Sequence, residues 1–427
     1  MNISQRDSKI MWHPYTPMKA WPEAIAMVRG EGVYLVDEQG NRYVDAISSW
    51  WVCLHGHGNK YIAQKVAEQM TTMEHCMFAG FTHEPAVRLG ERLLHILPDM
   101  SRIFYSDNGS TAVEVAMKMA IQYWRNKGMP RKRIVAIEGA YHGDTFGAMA
   151  VSGRSVFTEA FTELLFDVTF IPFPERGNEA ASISALDAVL AAGDVAAFIA
   201  EPLVQGSAGM RMYDAATLER YFALCKRYGA LIIDDEVMTG FGRTGTLFAC
   251  DQVSTRPDII CLSKGITGGV MPLGVTATTA EVFDAFYDDD RSRMLYHGHS
   301  FTANATACAA SLASMDLLLH EDCTTARRMI VEAHAAFAVT LAGHGMIADI
   351  RQAGTILAIE LRADTTTYHS ALRDAIYRFF IGKKMILRPL GNVVYILPPY
   401  CITKEELAHV YTCIQELLTA LENGMLL

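Results

Sequence analysis

The sequence predicts an α/β protein: a large domain on a mainly parallel β-sheet covered by helices, joined to a smaller α+β domain. Three observations lead to this reading. Between about residue 100 and 280, short β-rich runs alternate with helical ones, the order that builds parallel sheets from βα units. Those runs are continuously apolar instead of alternating, as strands buried on both faces must be. After about residue 317 the pattern changes to amphipathic helices with short strands between them. A chain of 427 residues also exceeds what one hydrophobic core usually holds. The large domain is expected over 48–317, and the small one over 1–47 with 318–427.

The elements follow in chain order. Val33-Tyr-Leu-Val-Asp-Glu-Gln-Gly-Asn-Arg-Tyr-Val44 is hairpin-like and is expected to pack on the small domain. Ile103-Phe-Tyr105 leads to a helix from Thr111 to Trp124 that is apolar on most sides, so it should be buried with its N-terminus directed at a ligand site. Ile134–Ile137, Ala196–Ala200 and Leu231–Ile233 read as further strands, with a helix over Ala215–Tyr228 before the last. The run Pro257-Asp-Ile-Ile-Cys-Leu262 is another. In the small domain, helices are expected over Cys323–His344 and Lys404–Glu422, and strands at Ile356–Glu360 and Val393–Leu397. Ligands of such sheets bind beyond the carboxyl ends of the strands.

Composition narrows the function. With 51% hydrophobic and 20% charged residues the chain is ordinarily globular, and its formal charge of −10 without a Lys/Arg cluster argues against nucleic acid. The nine cysteines contain no Cys-x-x-Cys and several lie in apolar runs, so they read as reduced core residues of a cytoplasmic protein. The polar N-terminus is unlike a signal peptide, no apolar stretch is long enough to span a bilayer, and no membrane partner is expected. No metal is expected either: His55 and His57 lie among glycines and read as loop residues.

Lys264 is the most informative single residue. It ends the apolar run from Pro257 and is followed by Gly265-Ile-Thr-Gly-Gly269, while a second run, Leu231-Ile-Ile233, ends in Asp234-Asp-Glu236. Two strands thereby deliver a carboxylate and an amine to one sheet edge. The pairing suits pyridoxal phosphate, whose aldehyde an amine engages as a Schiff base while a carboxylate keeps the ring nitrogen protonated. Alone, such a lysine is more often a snorkelling surface residue, and such acids commonly cap a helix. Other segments tip the balance. Asp107-Asn-Gly-Ser-Thr111 opens a buried helix with small and hydroxylated residues, a phosphate cradle if Ser110 is not a mere N-cap. Tyr141, flanked by glycines in Gly139-Ala-Tyr-His-Gly-Asp144, offers a face for a pyridine ring to stack on, against a plain turn tyrosine, and Asp144 reads as loop support. Glu201 ends the Ala196–Ala200 run; either it or Gln205 could reach the cofactor's phenolic oxygen, with a capping role as the alternative.

Three segments, Asp235-Glu-Val-Met-Thr-Gly-Phe-Gly-Arg-Thr-Gly245, Ser263-Lys-Gly265 and Glu201-Pro202, resemble the class III (subgroup II) aminotransferases of fold type I, and the resemblance extends over the whole chain. It implies a mainly parallel seven-stranded sheet, pyridoxal 5'-phosphate as cofactor, and ping-pong transfer through a Lys264 Schiff base. In its terms Asp235 is the partner of the pyridine nitrogen, Tyr141 the stacking ring, and Gly109-Ser110 part of the phosphate site. Ser300 stands where the family usually has a threonine reaching the phosphate of the neighbouring subunit, which implies a homodimer with shared active sites. His299 and Ala305 depart from usual prolines nearby.

Further segments are similar to one branch of the family: Trp12-His-Pro-Tyr-Thr16, Ser48-Ser-Trp-Trp51, Val113-Glu-Val-Ala-Met-Lys-Met-Ala120, Gly209-Met-Arg-Met-Tyr213 and Leu387-Arg-Pro-Leu-Gly391. That branch aminates 8-amino-7-oxononanoate to 7,8-diaminononanoate in biotin biosynthesis. The similarity implies S-adenosyl-L-methionine as donor, although lysine serves related enzymes and nothing in the residues themselves selects between them. It also implies Tyr15, Trp50, Trp51, Tyr141, Gly298, Arg388 and Tyr395 as substrate-site residues. Arg243 is a second anion contact or else a structural ion-pair residue. An aliphatic substrate wants dry aromatic walls, and its carboxylate wants an arginine. Packing is the competing role for the tryptophan pair. The rival functions are another class III ω-aminotransferase acting on 4-aminobutyrate or a diamine, and a decarboxylase or aminomutase on the same fold.

Overall fold

The computed structural model describes residues 1–20, 23–363 and 371–426. The first strands, β1 (Met27–Glu31), β2 (Tyr34–Asp37) and β3 (Arg42–Asp45), form an antiparallel meander, with β2 and β3 making the expected hairpin. The central sheet takes β4 (Arg102–Ser106), β5 (Arg133–Ile137), β6 (Thr169–Ile171) and β7 (Val195–Ala200). A two-stranded ribbon follows, β8 (Val204–Gln205) with β9 (Arg211–Met212). The central sheet is then completed by β10 (Leu231–Asp235), β11 (Ile259–Leu262) and β12 (Gly274–Thr278).

Its seven strands lie in the order β4-β12-β11-β10-β7-β5-β6. Only β12 runs against its neighbours, pairing antiparallel with both β11 and β4. Every residue of β7, β10 and β11 is buried, which is why these strands read as continuous apolar runs. The helix Gly109–Asn126 covers one face with nine buried side chains, and Ala215–Tyr228 begins and ends where the sequence places it.

Beyond the central sheet, β13 (Ile347–Ala353), β14 (Ile356–Leu361) and β16 (Val393–Ile396) form an antiparallel sheet, while the short β15 (Met385–Ile386) pairs parallel with β3. Strands from near both ends of the chain therefore share one sheet. Helices Glu321–Leu341 and Lys404–Glu422 pack alongside; the first ends three residues earlier than the apolar periodicity suggests. No helix among the described residues is long and apolar enough to cross a membrane.

This topology positions the site. The carboxyl ends of β4, β5, β7, β10 and β11 lead directly into Gly109, Tyr141, Glu201, Asp235 and Lys264. Residues scattered over more than 150 positions are thus delivered to one edge.

Candidate active site

A cavity of about 660 Å³ opens at that edge, lined among others by Gly109, Ser110, Tyr141, Glu201, Asp235 and Lys264. Lys264 follows β11 in a left-handed backbone conformation, φ 46°, a strained setting for a residue other than glycine. Its Nζ lies 4.5 Å from the centroid of the Trp51 ring. Burial holds its pKa below the ordinary lysine value, with Asp235 and Glu201 pulling the other way. The net result favours a neutral, nucleophilic amine.

Asp235 is buried, and its carboxylate is held from two sides: Oδ2 accepts from His142 Nδ1 at 2.6 Å and Oδ1 from the Val237 N–H at 3.1 Å. The short contact to a carboxylate places the His142 proton on Nδ1. Sequence reasoning passed over His142. Its only signal was adjacency to Tyr141, because the partner lies 93 residues away on a strand separated from β5 by β7.

Glu201 is fully engaged by backbone, accepting from Tyr141 N at 2.8 Å and Gly206 N at 2.9 Å, and burial pushes its pKa up to about 7. It thereby fixes the Tyr141 loop. Gln205 is buried but lies outside this cavity, its amide donating to the Glu138 carbonyl.

The cradle at Gly109-Ser110 starts the central helix, whose cap is Asn108 and not Ser110: Asn108 Oδ1 accepts from Thr111 N at 3.0 Å. Ser110 is left for other contacts. A Cβ at Gly109 would lie 2.6 Å from Val237 Cγ1, so only glycine lets the helix start pack this closely beside Asp235.

A second cavity of about 230 Å³ adjoins the first, sharing Trp51, Tyr141, Asp144 and Lys264, and adds Tyr15, Trp50, Phe157, Ser207 and Leu390. Tyr15 packs edge-on against Trp50 (5.4 Å between centroids) and Phe157 (5.7 Å), and its hydroxyl donates to Asp144. Asp144 therefore ties the loop to the N-terminal segment. Arg388 binds the Tyr15 carbonyl through Nη2 at 2.8 Å and lies 5.4 Å from the Trp50 ring centroid.

Five expected residues line neither cavity, Arg388 among them, although it sits directly behind Tyr15 and Trp50. Arg243 is buried away from both cavities, donating to the carbonyls of Pro398 (2.9 Å) and Trp51 (3.4 Å) and sitting 4.8 Å from the Tyr400 ring centroid. Tyr395 stands behind Trp51, whose Nε1 donates to its hydroxyl at 3.1 Å. Both hold the Trp51 turn from outside. Gly298 and Ser300 are exposed and line neither cavity of this chain; the Ser300 carbonyl meets His75 Nε2 at 2.7 Å. His55 and His57 are loop residues with local partners, Ser314 at 3.0 Å and Asp45 at 2.9 Å.

A buried amine whose pKa desolvation lowers, a buried carboxylate with its own hydrogen-bond support, an aromatic ring and a helix N-terminus meet in one cavity, and this donor set fits pyridoxal phosphate. The sheet topology and this set of residues define a transaminase-type fold and site. Residues 15–418 match the aminotransferase class-III family, and the chain belongs to that family. It is 48% identical over 96% of its length to the adenosylmethionine-8-amino-7-oxononanoate aminotransferase of Synechococcus elongatus, covering 98% of that protein. The enzyme of the same name from Geobacter sulfurreducens is 39% identical, with 94% of each chain covered. Among solved structures, the Methanocaldococcus jannaschii adenosylmethionine-8-amino-7-oxononanoate aminotransferase superposes with a TM-score of 0.92 at 34% identity, covering 97% of this chain and 98% of that one. A PLP-bound amine transaminase from an uncultivated Pseudomonas species gives 0.87 at 30%, covering 95% and 97%.

Proposed function

We propose that this protein is a pyridoxal-phosphate-dependent aminotransferase that converts 8-amino-7-oxononanoate to 7,8-diaminononanoate in biotin biosynthesis, with S-adenosyl-L-methionine as amino donor. The observation that carries this reading is the buried Lys264 amine sharing a cavity with the Asp235–His142 pair, beside a second cavity walled by Tyr15, Trp50 and Trp51. The names of the relatives supply the substrates.

When bound, the cofactor supplies a carbonyl that carries the amino group and a ring that accepts electrons. The chain's residues do the rest. Lys264 Nζ, its pKa lowered by desolvation, would hold the cofactor through its amine and would take and return a proton at the substrate carbon. Asp235, oriented by the His142 and Val237 donors, would face the ring nitrogen and accept its N–H. Tyr141 covers one ring face, and the Glu201 hydrogen bonds fix its backbone. The helix start at Gly109-Ser110 takes the phosphate with its free N–H groups. Tyr15, Trp50 and Phe157 exclude water around an aliphatic chain, while Arg388 takes the carboxylate at its end. Arg243 and Tyr395 position the Trp51 turn.

The working form in this reading is a cytoplasmic homodimer; the exposure of Ser300, away from both cavities of its own chain, supports a role toward the phosphate of a second copy.

The test is a transamination assay with the oxononanoate and candidate donors, paired with borohydride reduction in the presence of pyridoxal phosphate. Amination with S-adenosyl-L-methionine and a cofactor adduct confined to Lys264 are expected. Turnover of 4-aminobutyrate without the oxononanoate would assign the chain to the ω-aminotransferase alternative, and an adduct on another lysine would remove Lys264 from the mechanism.

A further inference from the structure

Glu114 has no role in the reading above, yet it ties the cradle helix to the Tyr141 loop. Its Oε1 accepts three hydrogen bonds: from Thr145 Oγ1 at 2.6 Å, Gly147 N at 2.8 Å and Ala148 N at 3.2 Å. Three donors on one oxygen call for an ionised carboxylate. The short helix Phe146–Val151 receives no side-chain cap from Thr145, its own N-cap residue, and Glu114 supplies one from the neighbouring helix. Glycines make the approach possible. A Cβ on Gly147 would meet Glu114 Oε2 at 2.2 Å, and one on Gly143 would meet Ser110 Oγ at the same distance.

The hydroxyl protons can then be counted. Thr145 has one, and it is committed to Glu114. Its backbone N–H donates to Ser110 Oγ at 3.0 Å, and the two hydroxyl oxygens are 2.9 Å apart. With the Thr145 proton spent, Ser110 is the only donor left in that hydroxyl contact. Both residues line the larger cavity. Of this pair, only the Ser110 proton can be redirected to an incoming anion, by leaving the Thr145 oxygen it now meets.

We propose that Glu114 is a positioning residue for the cofactor phosphate: by drawing the Thr145 proton to itself and clamping loop 143–147, it dedicates the Ser110 hydroxyl to the phosphate. This rests on the phosphate reading of the Gly109-Ser110 cradle. Glu114 touches neither cofactor nor substrate, and acts through Thr145 and Ser110.

The experiment titrates cofactor-free protein with pyridoxal phosphate and with pyridoxal, which lacks only the phosphate, following absorbance and tryptophan fluorescence. The ratio of the two dissociation constants isolates the phosphate. Ser110→Ala and Glu114→Ala are each expected to lower that preference about tenfold, the size of one charge-assisted hydrogen bond. The double variant should fall no further than Ser110→Ala alone, since a relay has no second path to the phosphate. Glu114→Gln keeps the oxygen and loses the charge, so it should fall between wild type and alanine, and it carries the same cycle if the alanine variant does not fold. Equal weakening of both ligands in the Glu114 variants would reduce Glu114 to a structural residue, and multiplicative losses in the double variant would break the relay. An unchanged preference in Ser110→Ala would instead overturn the phosphate reading itself.

Discussion

Replacing Asp234 by asparagine should stabilise the protein, and increasingly so as pH rises. Asp234 and Glu236 are fully buried on either side of Asp235, where the chain turns at the end of β10 with the Glu236 N–H donating to the Asp234 carbonyl at 3.2 Å. Their carboxylates and the Cys250 thiol lie within 4.8 Å of one another. Glu236 accepts from Thr239 Oγ1 at 2.5 Å and Cys250 N at 2.9 Å, whereas neither oxygen of Asp234 has a hydrogen-bond partner. Burial pushes Asp234 well above the carboxylate range, reinforced by the charge of Glu236, and burial also pushes Glu236 up to about 7. Two such groups cannot both be ionised at neutral pH, so Asp234 carries a proton.

The folded protein therefore binds protons that the unfolded chain has released. The resulting stability is complete below the unfolded pKa of about 4, and it is lost as pH rises toward the folded values near 7 and above. Asparagine keeps the shape, cannot ionise, and offers Glu236 an N–H. Wild type and Asp234→Asn should be nearly equal at about pH 4 and then separate by up to about 1.4 kcal/mol per pH unit, since only the unfolded wild-type chain releases the Asp234 proton. Thermal and urea unfolding between pH 4 and 8 measures the gap. A variant less stable by a constant amount at every pH would refute the shared proton. So would a stoichiometric metal ion in wild type that the variant loses.

Three further outcomes follow from the site. Asp235→Asn should still bind pyridoxal phosphate but lose roughly two to four powers of ten in kcat, since an amide cannot hold the ring proton, and near-normal turnover would remove Asp235 from the mechanism. His142→Phe keeps the buried ring but removes the 2.6 Å donor to Asp235, so kcat should fall about tenfold; unchanged turnover would make His142 a packing residue. Arg388→Ala should weaken the oxononanoate half-reaction by about one to two powers of ten and the donor half-reaction less, whereas equal single-turnover losses would make Arg388 a shared carboxylate anchor.

Much of this arrangement was legible in the chain because parallel strands leave a strong mark. Each buried run ends in a residue that burial alone would not select, and Tyr141, Glu201, Asp235 and Lys264 were picked out for that reason. The direction of β12 was not legible, since strands buried on both faces look alike whichever way they run. Ser110 was left as a possible cap because Asn108 and Ser110 are both good caps, and only the backbone shows Asn108 accepting the Thr111 N–H. Arg243 and Tyr395 were placed in the substrate site, yet each acts on Trp51 from behind. Chain position gives no sign of which side of a wall a residue occupies. The His142–Asp235 and Glu114–Thr145 contacts are pairings between separate elements, visible only once the loops are laid against each other.

The least legible feature is the backbone that carries the tryptophans. Ser48, Ser49, Trp50 and Trp51 have φ of 51°, 43°, 69° and 75°, a full left-handed turn with no glycine in it. Each such residue costs roughly 1–2 kcal/mol, and sequences normally meet that demand with glycine. Glycine is ruled out where the side chain is the purpose. The turn persists because its surroundings over-determine it: Ser48 Oγ donates to the Leu397 carbonyl at 2.7 Å, Ser49 Oγ to Asp45 at 2.7 Å, Trp51 Nε1 to Tyr395, and Arg243 binds the Trp51 carbonyl. Leu397, Tyr395 and the Pro398 carbonyl that anchors Arg243 all belong to β16 or the residues just after it. The strand nearest the C-terminus is thus what holds the left-handed turn in place, and with it the Trp51 ring beside the Lys264 amine. The same left-handed backbone recurs at Tyr15, Leu203, Met210, Phe241, Ala303 and Lys384, but only at Trp51 and Lys264 does it set a ring 4.5 Å from an amine in one cavity, so there the strain serves the site.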